Sequence, residues 1–148
     1  MSRSQFEPVM AALFALTAPL LTAGTLNTAS RRPKQPQETA IQDCPALYQI
    51  EGSFKANYQQ NAIGIRWELQ VAWIVVVGQN DPTQPMSPAL NPIIDALCQV
   101  LSGVGGQPQT LGGLAQYCAI DGAIDVFEGV LADRAVALVP IRIVLAGF

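Results

Sequence analysis

The 148-residue chain contains no histidine and only three cysteines, Cys44, Cys98 and Cys118. Without histidine the commonest general base and metal ligand is missing, and Ser-His and Cys-His nucleophiles are excluded. The cysteines lie far apart, and no pair has the C-x-x-C spacing of a zinc knuckle or redox motif. We therefore expect buried, reduced thiols, and we expect no enzyme activity, cofactor or metal.

Charge is also scarce. Only 13% of the residues are charged and half are apolar, whereas an average soluble domain has about 25% charged residues. The net charge of −3 gives no global positive field that would attract DNA or anionic lipid. The length fits a single domain, 1–148, with one core. Such a low-charge surface is typical of a protein that is built into an assembly.

The N-terminal region has an apolar run, Val9–Leu21, that looks like the core of a signal peptide. Glu7 and Pro8 argue against a signal peptide, because that position favours positive or neutral residues. The run is too short to span a bilayer, and we expect no membrane partner. Its apolar spacing instead predicts an amphipathic helix from about residue 5 to about residue 17–20, which Pro19 ends or kinks.

The strongest strand signal lies in the middle of the chain. Period-2 alternation places on one face Trp67, Leu69, Val71, Trp73, Val75 and Val77. The polar stretch KANYQQNAIG precedes it, which predicts a long hairpin with a projecting tip. Shorter strands are predicted at 25–31 and 46–51, on either side of a proline-rich loop.

A second helix is predicted after Ser87-Pro88, where apolar residues recur at helical spacing. Pro92 is expected either to move its start to Asn91 or to kink it. Two strands are predicted in the last third, 115–125 and 133–146, joined by VFEGVLAD. Pro140 indicates that the second of them lies at an edge or carries a bulge, because proline cannot donate a ladder hydrogen bond.

These elements predict an α+β fold in the order α-β-β-β-α-β-β. The sheet is expected to be mostly antiparallel, with the two helices packed on one face and a long projecting hairpin.

Carboxylates occur in two near pairs, Asp121 with Asp125 and Glu128 with Asp133. A glycosidase or a hard-cation site would use such pairs, but D-x-x-x-D alone is no motif, and solvated carboxylates beside a turn are the favoured interpretation. A lysine mechanism would have only Lys34 and Lys55, which are both in predicted loops.

The stretch TASRRPK holds three of the eight Lys and Arg residues, Arg31, Arg32 and Lys34. A solvated loop explains such a cluster, since charge runs are usually just exposed. Phosphate contact would need aromatic or groove-fitting neighbours, which the stretch lacks. Docking onto another subunit needs only complementary acidic residues there.

Several spaced stretches over most of the chain resemble one family. They are AALFALT, LNTASRRPKQPQE with DCPALYQIEG, NPIIDALCQVL, and QTLGGLAQYCAIDGAIDVFEGVLADRAVALVPIRIVL. Together they are similar to the tail terminator, or tail completion, proteins of long-tailed bacteriophages. Pro92 departs from the pattern, because a plain helix former is expected there.

This resemblance implies a structural virion protein with a small α/β fold and no enzyme activity. Such proteins form a six-membered ring that caps the last ring of tail-tube protein, stops tube growth and offers a surface to the head connector. DNA passes through the central hole without sequence-specific binding. The expected partners are the chain itself, the tail-tube protein and the connector or stopper protein. The expected location is the tail or neck of the virion, after assembly in the host cytoplasm.

A head-to-tail ring needs two different complementary patches on each subunit. We therefore predict a basic patch facing acidic residues of a neighbour or of the tube, and a hairpin tip, Lys55–Gly64, that contacts an adjacent ring. The predicted ring or tube interface comprises Arg31, Arg32, Lys34, Asn57, Tyr58, Gln59, Gln60, Asn61, Asp125, Glu128, Asp133 and Arg134. Two alternatives stay open, a head-side neck or connector completion protein and a small nucleic-acid-binding module.

Overall fold

The computed structural model describes residues 3–58, 65–78, 81, 83–131 and 133–145. Its helices are α1 (Glu7–Ala15), α2 (Ala18–Thr22) and α3 (Ser87–Leu101). Its strands are β1 (Thr28–Ser30), β2 (Ala46–Tyr58), β3 (Ile65–Gly78), β4 (Tyr117–Ile120), β5 (Asp125–Leu131) and β6 (Arg134–Leu145). The predicted α+β fold is confirmed, with a curled, mostly antiparallel sheet.

The sheet has the strand order β1-β2-β3-β6-β4, and β5 pairs with the other half of β6. Every pairing is antiparallel except that of β1 with β2. β6 pairs with β3 along its full described length, from Leu145 opposite Trp67 to Arg134 opposite Gly78. These two strands therefore form the centre of the sheet.

The predicted N-terminal helix is divided at Leu16 and Thr17, just before Pro19. Pro19 then lies in the first turn of α2, where its missing amide costs little. By length and composition alone, the helical stretch Ser4–Thr22 is long and apolar enough to cross a membrane, which the shorter run considered above is not. In this fold its apolar side chains pack into the core at Phe6, Val9, Met10, Leu13 and Leu20.

The main core lies between the helices and one face of the sheet. The period-2 pattern of β3 is confirmed there: Leu69, Val71, Trp73, Val75 and Val77 are buried, with Trp67 packed against them. α3 buries Leu90, Ile93, Leu97 and Leu101 against the same face. One buried polar side chain, Gln49, donates to the Met10 carbonyl (3.0 Å) and accepts from the Trp73 indole (3.0 Å). These bonds satisfy polar groups that would be costly to bury unpaired.

α3 starts at Ser87, in agreement with the start predicted from Ser87-Pro88, and it continues through Pro92, so the alternative start at Asn91 is excluded. Pro88 lies in its first turn, and Pro92 is exposed.

The last third contains one strand more than predicted. Residues 115–125 form only the short β4, and the predicted connection VFEGVLAD contains most of β5. Gly122, with φ of 91°, lies between the two strands in a conformation that favours glycine. The gap between β4 and β5 lies opposite Pro140 of β6, whose carbonyl accepts a hydrogen bond from the Asp121 amide at 2.9 Å. A strand residue's N–H and C=O point to the same side, so the amide that proline lacks faces this gap.

The opposite face of the sheet is covered only in part. The segment 36–43, with two short 3₁₀ turns, lies before β2. A small second cluster is buried there, formed by Ala46, Tyr48, Val76 and Val136. The Thr39 and Tyr48 hydroxyls lie 2.9 Å apart, which ties this segment to the sheet. Further along the same face, Ile74, Leu138 and Pro140 are only half-buried.

Candidate assembly surfaces

Arg31, the first residue of the predicted basic cluster, is held within its own subunit. It follows β1, and its guanidinium donates to both carboxylate oxygens of Glu7 on α1 and to Glu51 Oε1 on β2 (2.9 Å). The hydrogen bonds from Arg31 lower the pKa of Glu7, and the same bonds raise the pKa of Arg31. Arg31 therefore joins the first helix to the edge of the sheet.

Arg32 and Lys34, unlike Arg31, are not held within the described part of the subunit. Both are exposed, and their side chains form no hydrogen bond or ion pair with any residue that the structure describes. The Arg32 amide donates to Ser30 Oγ at 3.0 Å, which fixes the backbone where the loop leaves β1. These two cations are thus available to another molecule.

Glu128 on β5 has a structural role that the sequence pattern did not indicate. Its carboxylate accepts from the Met86 amide (2.7 Å), the Ser87 amide (3.1 Å) and the Ser87 hydroxyl (2.5 Å). These are unpaired donors at the start of α3, and α3 has no capping side chain of its own. The bonds from Ser87 and Met86 lower the pKa of Glu128. Glu128 thus caps α3 from 41 residues away.

Asp133 and Arg134 form an ion pair, in which Arg134 Nη1 lies 2.8 Å from Asp133 Oδ2. The guanidinium is 7% exposed and donates twice to the Thr39 carbonyl, at 3.1 and 2.8 Å. Arg134 therefore anchors the 36–43 segment to β6. In contrast, the Asp121 and Asp125 side chains are exposed and form no ion pair within the described part of the chain.

The β2–β3 hairpin extends to Tyr58 and resumes at Ile65. Asn57 donates to Glu68 Oε1 across the two strands at 2.8 Å. The predicted contact residues Gln59, Gln60 and Asn61 lie outside the described residues. Their role as an interface stays a prediction.

Exposed apolar side chains form a feature that the sequence analysis missed. Val126 and Phe127 of β5 expose 45% and 47% of their surfaces. They lie on opposite faces of the strand, since successive strand residues alternate. Phe127 is paired with Val136, which places it beside the second cluster on the face away from the helices. Their signal was present as adjacent apolar residues, but it lay inside the predicted connection.

A cleft of about 340 Å³ opens beside the bulge in β2. Its lining includes Phe6, Met10, Glu51, Gly52 and Leu69. The rings of Phe6 and Phe54 meet edge to face beside it, with centroids 5.3 Å apart.

Within the described residues, no group of three or more Cys, Asp and Glu side chains could hold a metal ion. Burial raises the pKa of the Cys118 thiol to about 12 and also raises that of Cys44. Thiols with raised pKa values are poor nucleophiles.

The sequence matches no protein-family model and no curated protein. The fold is similar to a chain in the solved structure titled "Virion of native gene transfer agent (GTA) particle". The TM-score is 0.56 at 12% sequence identity, and the match covers 93% of this chain and 94% of that chain. The two proteins therefore share the fold over nearly their whole lengths.

Proposed function

We propose that this chain is a structural protein of a phage-like virion, and that it acts there as the tail terminator. The observation that carries the proposal is the reciprocal fold match, 93% and 94%, to a chain of a virion particle. Because the match covers nearly all of both chains, the likeness extends to the whole fold and is not limited to a common substructure. The likeness of the sequence to tail terminator proteins, described above, supports the finer assignment.

The surface fits a protein that is buried in an assembly. Large apolar side chains are exposed at Val104, Leu114, Val126 and Phe127, and only 13% of the residues are charged. Covering such side chains with another protein is favourable, because it removes apolar surface from water.

In this role, six copies of the chain form a ring on the last ring of tail-tube protein. The ring stops tube growth and presents its other side to the head connector. The β2–β3 hairpin tip contacts the adjacent ring, with Asn57 and Tyr58 at its base. DNA passes through the centre without sequence-specific contacts, and the net charge of −3 provides no general attraction for it.

The test is to delete the coding sequence from the genome that carries it and to image the particles by negative stain. We expect tails of uncontrolled length that are not joined to heads, and restoration of both properties by the wild-type chain. A head-side neck protein would instead leave detached tails of normal length. Normal tails joined to heads would refute a role in the tail.

A second test uses purified components. The chain is added to growing tail tubes, and tube lengths are measured with time. A terminator stops elongation and is seen at one end of each tube after gold labelling of a tagged chain. Unchanged elongation with no label at the ends would contradict the assignment.

A further inference from the structure

The exposed charges that have no partner within the described part of the subunit differ in sign between the two ends of the sheet. β1 pairs only with β2 among the described strands and so closes one end, and the free cations Arg32 and Lys34 follow it directly. β4 and β5 close the other end, where the acidic residues Asp121 and Asp125 are exposed. The structure thus places two exposed cations and two exposed carboxylates, more than 80 positions apart in the sequence, at opposite ends of the sheet.

The structure also sorts the charged residues of the predicted interface. Arg31, Glu128 and Asp133 are each engaged within the subunit, as are the buried guanidinium of Arg134 and its partners. An ionic group with an internal partner gains little from a second one, because its charge is already compensated. The charges of this set that are left for another molecule are those of Arg32, Lys34 and Asp125, and the exposed Asp121 lies near Asp125 just after β4.

The acidic end also has an open strand edge. β5 pairs with β6 on one side, and no described strand pairs with its other side. An edge with unpaired amides and carbonyls is a template for another chain, above all where apolar side chains are exposed. Val126 and Phe127 are such side chains, each nearly half exposed.

We propose that the β4–β5 end of one copy binds the β1 end of a second copy. In this contact Asp121 and Asp125 face Arg32 and Lys34 of the neighbour, and Phe127 becomes covered. The occupant is a second copy because the complementary patch is present on the same chain, at the opposite end of the same sheet. Each copy then has one patch of each kind, so the contact repeats head to tail and closes a ring when the rotation allows. This inference rests on the ring proposed above and names its contact surface.

The main experiment uses two charge-reversal variants of the full chain. One is Arg32→Glu with Lys34→Glu, and the other is Asp121→Lys with Asp125→Lys. The mass of each is measured by light scattering, with negative-stain images of the same peak. The wild type is expected to form an oligomer larger than a dimer, and each variant is expected to be monomeric, since like charges then face each other.

Mixing the two variants in equal amounts is the decisive step. Every contact in an alternating ring then joins opposite charges, so the mixture is expected to recover the wild-type mass. Combining all four substitutions in one chain should recover it as well. The matched control Asp95→Lys changes charge at an exposed position of α3, and it should keep the wild-type mass.

A third variant tests the apolar part of the contact without changing charge. Phe127→Ser should lower Tm only modestly, because about half of the Phe127 surface is already exposed in one subunit. It should raise the protein concentration at which the oligomer forms by about tenfold, which corresponds to the loss of one well-packed apolar contact.

Four results would overturn the inference: a wild type that is monomeric at the highest attainable concentration, an oligomer that none of these variants affects, no recovery on mixing, or a dimer with two-fold symmetry. The first three leave the result of the particle deletion experiment intact, so the contact surface and the proposed function fail separately.

Discussion

The Arg31 guanidinium binds Glu7 with two parallel hydrogen bonds, 24 positions apart in the chain, and joins α1 to the end of β1. A bidentate arginine–carboxylate pair depends on the planar fork of the guanidinium, which lysine lacks. The most conspicuous charge cluster in the sequence is therefore divided between one residue that is held within the subunit and two exposed residues whose side chains have no partner among the described residues.

Replacing Arg31 should affect stability, and replacing Arg32 should not. We expect Arg31→Gln to lower Tm by a small amount, because Glu7 and Glu51 lose a partner, while the adjacent control Arg32→Gln leaves Tm unchanged. The pKa of Glu7 is lowered in the folded state. Its contribution is therefore present above its ordinary pKa and is lost as the pH falls through the lowered one. Thermal melts at several pH values should show the Tm difference between Arg31→Gln and wild type shrinking in acid, and a difference independent of pH would contradict this explanation.

Gln49 should be the most sensitive polar residue of the core. Gln49→Leu leaves the Trp73 indole N–H without its acceptor in a fully buried position. An unsatisfied buried donor costs about 1–3 kcal/mol, and we expect a loss of this size in urea denaturation. Gln70→Leu is the control, since Gln70 is exposed on β3. Equal effects of the two substitutions would show that the buried hydrogen bonds are not responsible.

Glu128 should control the first turn of α3. Glu128→Ala removes the acceptor for the Met86 and Ser87 amides, so both amides should exchange faster with solvent. Asp125→Ala, on the same strand, should leave their exchange unchanged. Because bonding lowers the pKa of Glu128, the Tm difference between wild type and Glu128→Ala should fade as the pH falls below the ordinary glutamate pKa. Unaltered exchange at Met86 and Ser87 would rule out the cap.

Cys118 should be unreactive in the folded protein. Burial raises the pKa of its thiol to about 12, so very little thiolate is present at pH 8. Peptide mapping after brief alkylation should find Cys118 unmodified, and labelled only when the alkylation is done in denaturant. The Cys118→Ser variant identifies its peptide. Rapid labelling without denaturant would mean that β4 opens readily from β6.

Shortening the hairpin tip should separate folding from assembly. We expect replacement of residues 59–64 by Asn-Gly to preserve Tm, because the described strand pairing ends at Tyr58 and Ile65, and Asn-Gly suits a two-residue hairpin turn. The variant should still form the oligomer through the proposed contact between the β4–β5 end and the β1 end, but it should cap tail tubes poorly. Capping at the wild-type level would remove the tip from the proposed tube interface.

Sequence patterns predicted those elements whose burial is periodic. β3 carries apolar residues at every second position of its helix-facing side, and α3 carries them at helical spacing, so local pattern and tertiary environment agree. β5 escaped prediction because Val126 and Phe127 are both apolar and both exposed. Their exposure breaks the usual link between apolar residues and burial.

The internal partners of the charged residues were beyond a sequence argument for another reason. Arg31 finds Glu7 and Glu51, and Glu128 finds Ser87, only after distant elements have packed. Spacing along the chain contains no information about such pairs. Charge clustering did identify the loop after β1, but it could not separate Arg31 from Arg32.

The position of β6 has a consequence for how the subunit is made. This strand pairs with β3, β4 and β5, yet it follows all the other described strands along the chain. While a ribosome is still making the preceding segments, β3 has an open edge and much of its apolar face lacks a partner. The sheet can close only after β6 has emerged, so folding depends on contacts between distant parts of the chain and is expected to be slow. Nascent chains are thus most exposed to aggregation before β6 has emerged.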